Sequence, residues 1–273
     1  MYFLREGTAV WTVSPRVPYV RIFGHGIANR FLRVLCGGKS LCAFTVKLLP
    51  DAASSLSGEC IPTATIMPML TRRFDPADQA PAEIYKLMIG MIVPRPIAFV
   101  SSIDAQGVRN LAPFSYFTAC SSNPPVVCFV TTIRSGPRPR KDTLSNILAT
   151  KEFVVNIVSE EFADKMNLTS AEVAPEVDEF EISGLTSLAS ELVAPPRVAE
   201  SHVHMECRLR QIIEVSNEVN GGNLILGDVL RFHVDEAVLN GDKVDPDKLR
   251  AIGRMGGPVY TRTRDRFEMQ RPK

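Results

Sequence analysis

The stretch Pro96-Ile97-Ala98-Phe99-Val100-Ser101-Ser102-Ile103, then Asp104-Ala105-Gln106-Gly107, then Val108-Arg109-Asn110-Leu111-Ala112, decides the fold. Two apolar runs flank a four-residue connection ending in glycine, the mark of a β-hairpin, so the chain doubles back antiparallel. Further strand-like runs cover residues 115–120, 126–133, 153–158, 202–215 and 224–239. The last two flank Asn220-Gly221-Gly222-Asn223, a strong turn signal. Helical patterns fit at 142–150, 159–169 and 245–252. Another opens at Pro81-Ala82-Glu83, with Ile84, Leu87, Met88 and Met91 on one face. Six or seven strands in hairpins, with few short helices between them, predict a mainly β protein. The architecture expected is an antiparallel barrel rather than a doubly wound sheet.

The 273 residues are 45% hydrophobic and carry a net charge of +1, enough for a sizeable core and no overall case for nucleic-acid or membrane partners. The balance hides an asymmetry: residues 1–73 hold nine Lys/Arg against three acids. That segment has short apolar stretches broken by Pro and Gly, with no sustained period. Residues 1–70 therefore read as an extra N-terminal segment, poorly ordered or preceding a true start at Met67 or Met69. The functional domain is expected over 74–273. No apolar run reaches the roughly 18–20 residues that a membrane helix needs. The six cysteines lack CxxC spacing, and Cys120, Cys128 and Cys207 fall in apolar strand runs. They read as reduced, buried residues of a cytoplasmic protein.

Chemistry concentrates in two places. Arg138, Arg140 and Lys141 run into Asp142-Thr143-Leu144-Ser145-Asn146-Ile147, where Asp142 or Thr143 is suited to cap a helix whose Leu144, Ile147 and Leu148 form a stripe. Cations crowding the positive end of a helix make a seat for an anion, with a phosphate monoester the expected guest; a solvated basic loop before a surface helix fits the same residues. The hairpin adds Ser101, Ser102, Asn110 and Ser115, small polar residues within apolar strands, followed by Tyr116 and Phe117. Buried there, they need hydrogen-bond partners, which a flat heteroaromatic ring would supply; on the solvent side of a half-exposed sheet they need none.

The ordered set Ile92–Ser102, Asn110-Leu111-Ala112-Pro113-Phe114-Ser115-Tyr116-Phe117, Pro124-Pro125, Arg140–Ile147, Phe153–Asn156 and Gly253–Tyr260 closely resembles the flavin reductase-like family of FMN-binding split barrels. The resemblance covers roughly residues 74–272. It implies a homodimer that binds FMN near the subunit interface and reduces flavin with NADH or NADPH, in some cases for a partner oxygenase. It further implies a phosphate held by Lys141, Thr143 and Arg95 or Ser101, with Asp142 beside them, and an isoalloxazine ring lined by Asn110–Phe117, Ser115 facing its polar edge. Donors near N1 and C2=O would stabilise the charge that reduction places there. No side chain is expected to act as acid or base; the nicotinamide carbon has only to reach about 3–3.5 Å from the ring. An FMN-binding electron carrier without nicotinamide activity fits the same residues. No strand–GxGxxG–helix unit is present, so a nicotinamide would bind on the flavin surface.

Three other features of the sequence carry chemistry-bearing residues. His202, His204 and Glu206 alternate along a strand and share a face, which permits two imidazoles to converge on an ion, but a polar strand face is the preferred reading and no metal is assigned. Arg254 and Tyr260 follow the 245–252 segment in a glycine-rich loop, where Tyr260 serves as a lid or as a core aromatic. The acid-rich stretch Glu172–Glu181 reads as an exposed loop without chemistry.

Overall fold

The computed structural model describes residues 70–272, so the expectations for the N-terminal segment and its start lie outside the described residues. Seven strands form one antiparallel sheet: β1 Ala98–Ile103, β2 Arg109–Phe114, β3 Phe117–Ser122, β4 Pro125–Thr132, β5 Glu152–Ile157, β8 Val203–Glu214 and β9 Gly222–Val234. Their order is β2-β1-β5-β8-β9-β4-β3. The two edges, β2 and β3, are consecutive in the chain, so the sheet opens between neighbours joined by Ser115-Tyr116. Short two-stranded pairs flank it: β6 Ser187–Leu188 with β7 Arg197–Val198, β10 Leu239–Asn240 with β11 Lys243–Val244, and β12 Ile252–Arg254 with β13 Tyr260–Arg262. The helices are α1 Pro81–Met91, α2 Asp142–Thr150, α3 Ala163–Leu168, α4 Glu179–Ser183 and α5 Pro246–Leu249.

The predicted hairpin forms with Ser101 opposite Leu111 and Ser102 opposite Asn110. Its turn is closed by Gly107 at φ +86°, and the Asp104 carboxylate accepts the Gln106 and Val108 amides. Because side chains alternate along β1, Ala98 and Val100 join a core with Phe114, Phe129 and Phe153, while Ile97 and Phe99 join a second core with Leu111 and Phe162. The strand is apolar throughout because both its faces are covered.

Four expectations are corrected. The 245–252 helix stops at Leu249, because Arg250 turns left-handed at φ +50° and Ile252 begins a strand. The run expected over 224–239 ends as a strand at Val234. Cys207 is buried, but Cys128 is half-buried and Cys120 exposed, since β3 is an edge strand with no neighbour on its outer side. On α1 only Ile89 is buried; Met88 and Met91 are 40% and 70% exposed, so much of the expected apolar face is not covered within one chain.

Candidate functional site

Helix α2 starts without a side-chain cap: Lys141 occupies the cap position in extended conformation, and neither Asp142 nor Thr143 caps. The Asp142 carboxylate instead accepts from Arg134 Nη2 at 3.3 Å, and the Thr143 hydroxyl donates to Asn110 Oδ1 at 2.6 Å. The first amides of the helix, at Asp142 and Thr143, are therefore free to meet a ligand. They open onto a cleft of about 200 Å³ whose walls include Lys141, Arg134, Asn110, Ala112, Ser115 and Tyr116. Lys141 is drawn below the usual lysine range by burial and by the Arg134 charge, against the pull of Glu172 and Asp142. Arg134 donates Nη2 to Arg140 O at 2.8 Å, yet its Nε is buried without a partner. An uncapped helix end, a partly desolvated lysine and a guanidinium nitrogen without a partner are thus gathered at one place, a set whose charge an anion would complement.

The opposite end of the cleft is aromatic. Tyr85, from α1, and Tyr116 both line it, and Ser115 accepts from Arg95 Nε at 3.3 Å. Burial, then the neighbouring Tyr85, pushes the Tyr116 phenol up, with Arg95 opposing.

Of the residues singled out by sequence, Asn110, Ala112, Pro113, Ser115, Tyr116, Lys141, Asp142 and Thr143 line this cleft. Arg95, Ser101, Ser102, Leu111 and Phe117 do not. Arg95 is 4% exposed and gives Nη1 to Ile89 O and Ile92 O and Nη2 to Met255 O, tying α1 to the β12 loop. Ser101 projects from the opposite face of β1 and bonds to Pro196 O. Ser102 sits beneath the cleft, donating to Asn110 Oδ1 at 3.3 Å and accepting from Asn146 Nδ2 at 3.2 Å. Leu111 points into the second core, and Phe117 packs on the first. Arg254 and Tyr260 are stacked on one another, with 4.4 Å from guanidinium to ring centre, on the β12–β13 hairpin and not on this cleft.

Sequence reasoning missed Tyr85, Arg134, Thr169, Ser170 and, above all, Glu179. This glutamate, within the stretch read as an exposed loop, is 5% exposed on α4 and lines the cleft. It accepts Asn110 Nδ2 at 2.8 Å and the Leu111 amide at 2.9 Å. The reason is the edge of β2: an unpaired strand amide needs an acceptor, and α4 brings one.

The histidines separate. His202 pairs with Asp235 at 2.9 Å, His204 donates Nε2 to Val198 O at 2.8 Å, and His233 meets Glu206 at 2.7 Å. Among the described residues no group of three or more His, Cys, Asp or Glu is arranged to hold a metal ion.

Residues 90–248 match the family model of the flavin reductase like domain. A protein of Aquifex aeolicus (strain VF5) is 42% identical over 180 residues, 66% of this chain and 89% of its own length. The crystal structure of nitrilotriacetate monooxygenase component B from Bacillus cereus is 34% identical, with TM-score 0.70, over 74% of this chain and 100% of that one. A split-barrel-domain structure from Shewanella frigidimarina NCIMB 400, 20% identical, superposes with TM-score 0.63 over the same 74% and all of its own chain. The antiparallel sheet opened between β2 and β3 is thus a split barrel.

Proposed function

The chain belongs to the flavin reductase-like family, and from that premise we propose that it binds FMN and reduces it with NADH or NADPH. The observation that carries this reading is the cleft joining the uncapped end of α2 to the Ala112–Tyr116 wall. Its donor set fits the cofactor: Lys141, Arg134 Nε and the Asp142 and Thr143 amides would hold the phosphate. Ser115 and Tyr116 would meet the ring. The bound flavin would supply the two-electron chemistry. The protein's own part is to bind the phosphate, orient the ring and keep bulk water from one of its faces; no cleft residue is required to move a proton in hydride transfer itself.

Assembly as a homodimer is part of the proposal. Tyr85, Met88 and Met91 of α1, with Ile92 just after it, stay 40–70% exposed in one chain, and Tyr85 belongs to the cleft, so a second copy covering α1 would also complete the site. A partner oxygenase as consumer of reduced flavin is supported by the Bacillus cereus structure, a monooxygenase component B. Among the described residues no helix is long and apolar enough to cross a membrane.

Anaerobic mixing of FMN-loaded protein with NADH, and separately with NADPH, tests the reading. At least one donor is expected to bleach the visible flavin band. A band that persists with both overturns the reductase and leaves an FMN carrier.

A further inference from the structure

Five buried polar side chains lie under the anion seat in one chain of hydrogen bonds. Glu179 accepts from Asn110, Asn110 Oδ1 accepts from Thr143 and Ser102, and Ser102 accepts from Asn146. All five are 8% exposed or less. Glu179 is fixed from behind as well, since Asp178 caps α4 through the Phe180 amide and holds Arg109 Nε of β2 at 2.6 Å. Nothing in the flavin reading uses this glutamate. A buried carboxylate close to an anion seat opposes the guest unless its charge can be removed.

We propose that Glu179 is a positioning residue of the anion seat: protonating it turns the Asn110 amide over and hands the Thr143 hydroxyl to the bound phosphate. The proposal rests on the FMN reading above. With Glu179 ionised, both its oxygens accept N–H groups, Asn110 must present Oδ1 to Thr143, and the single Thr143 proton is spent there. With Glu179 protonated on Oε1, the acid O–H donates to Asn110 Oδ1. The Asn110 Nδ2 group then donates to Thr143 Oγ1 and Ser102 Oγ, the Asn146 amide turns in step so that its Oδ1 takes the Ser102 proton, and the Thr143 hydroxyl proton is free to face the cleft. The Leu111 amide keeps its acceptor, Oε2, in both states.

The surroundings suit the neutral acid near physiological pH. Burial pushes the Glu179 carboxyl up to about 7, and the Asp142 charge adds to it against the bonds from Leu111 and Asn110. The other charges around it are engaged: Arg109 on β2 by Asp178, Lys165 on α3 by Gly184 O, and Arg134 in the cleft wall by Asp142. Lys141 remains for the ligand.

The test is FMN affinity, by quenching of flavin fluorescence, from about pH 7 to about pH 9, where a phosphate monoester with second pKa near 6 stays dianionic. Affinity is highest with Glu179 protonated, so it should fall as pH rises. Because about half of Glu179 is already ionised at pH 7, a coupling of one pKa unit should cost wild-type protein about fivefold over this range. Glu179→Gln mimics the neutral acid, its amide donating to the turned Asn110, and should hold the tighter affinity throughout. Riboflavin, which lacks the phosphate, should show no step with wild-type protein, and this arm stands even if Glu179→Gln does not fold. A step that survives in Glu179→Gln, a step seen equally with riboflavin, or no step with FMN overturns the proposal and leaves the flavin reading intact. Absence of FMN binding at every pH overturns both.

Discussion

Lys141→Ala is expected to weaken FMN binding by about 1.5–3 kcal/mol, roughly 10- to 150-fold, the usual worth of a hydrogen bond to a charged group. Four cations stand near the start of α2, but they are not equivalent: Arg134 and Lys141 line the cleft, Arg138 and Arg140 do not. Arg138 donates Nη2 to Val173 O and lies 3.8 Å from Asp142. Arg134 gives Nη2 to Arg140 O and Asp142 and has Nη1 3.9 Å from Glu172, while its buried Nε has no partner. Lys141 has a single carboxylate in range, Glu172 at 4.0 Å, and its side chain is 29% exposed. Of the two cations that line the cleft it is the one with charge to spare, and it is partly desolvated before any ligand arrives, so less hydration is lost on binding. Fluorescence titration of FMN measures the effect. An affinity unchanged within twofold, against the roughly tenfold minimum of a charged hydrogen bond, would mean that the cluster is a solvated loop.

What sequence could reveal here divides along local and non-local lines. The β1–β2 hairpin, its Asp104–Gly107 turn and the α2 helix were legible because each is fixed locally, the longest running only from Ala98 to Phe114. The strand period also places Ser101 and Ser102 on opposite faces, which the structure shows: one bonds to Pro196 O, the other lies under the cleft. Grouping them as one lining set overlooked that alternation. Arg95 was illegible for a different reason. A buried arginine beside an aromatic segment resembles an anion ligand, and only the fold reveals that its donors go to the carbonyls of Ile89, Ile92 and Met255. Glu179 was the hardest case. Within α4 only Phe180 and Ile182 are apolar, and its five residues are too few for a period. Its burial is dictated by the unpaired Leu111 amide 68 residues away. No local pattern encodes that demand.

Phe153→Ala is expected to destabilise the fold by about 3–5 kcal/mol, the usual cost of emptying a buried phenyl site. The ring is fully buried on β5, meets Phe129 edge-on at 5.5 Å between centres, and through Phe129 braces Phe114 at 5.0 Å. Phe114 forms part of the cleft wall, so the stack supports the site as well as the core. Room for the ring comes from Gly227 on β9, where an added Cβ would lie 2.3 Å from the Phe153 ring tip. Gly227→Ala should therefore cost about 1–3 kcal/mol by overpacking. The sharper expectation concerns the pair. With the phenyl gone, the new methyl no longer clashes and fills part of the vacated space. The double variant should then lose less stability than the two single losses together, by more than the roughly 0.3–0.5 kcal/mol scatter of independent sites. Urea denaturation of the four proteins measures it. Strict additivity, or a Phe153→Ala loss below about 1 kcal/mol, would show that the ring does not fill the gap left by the glycine.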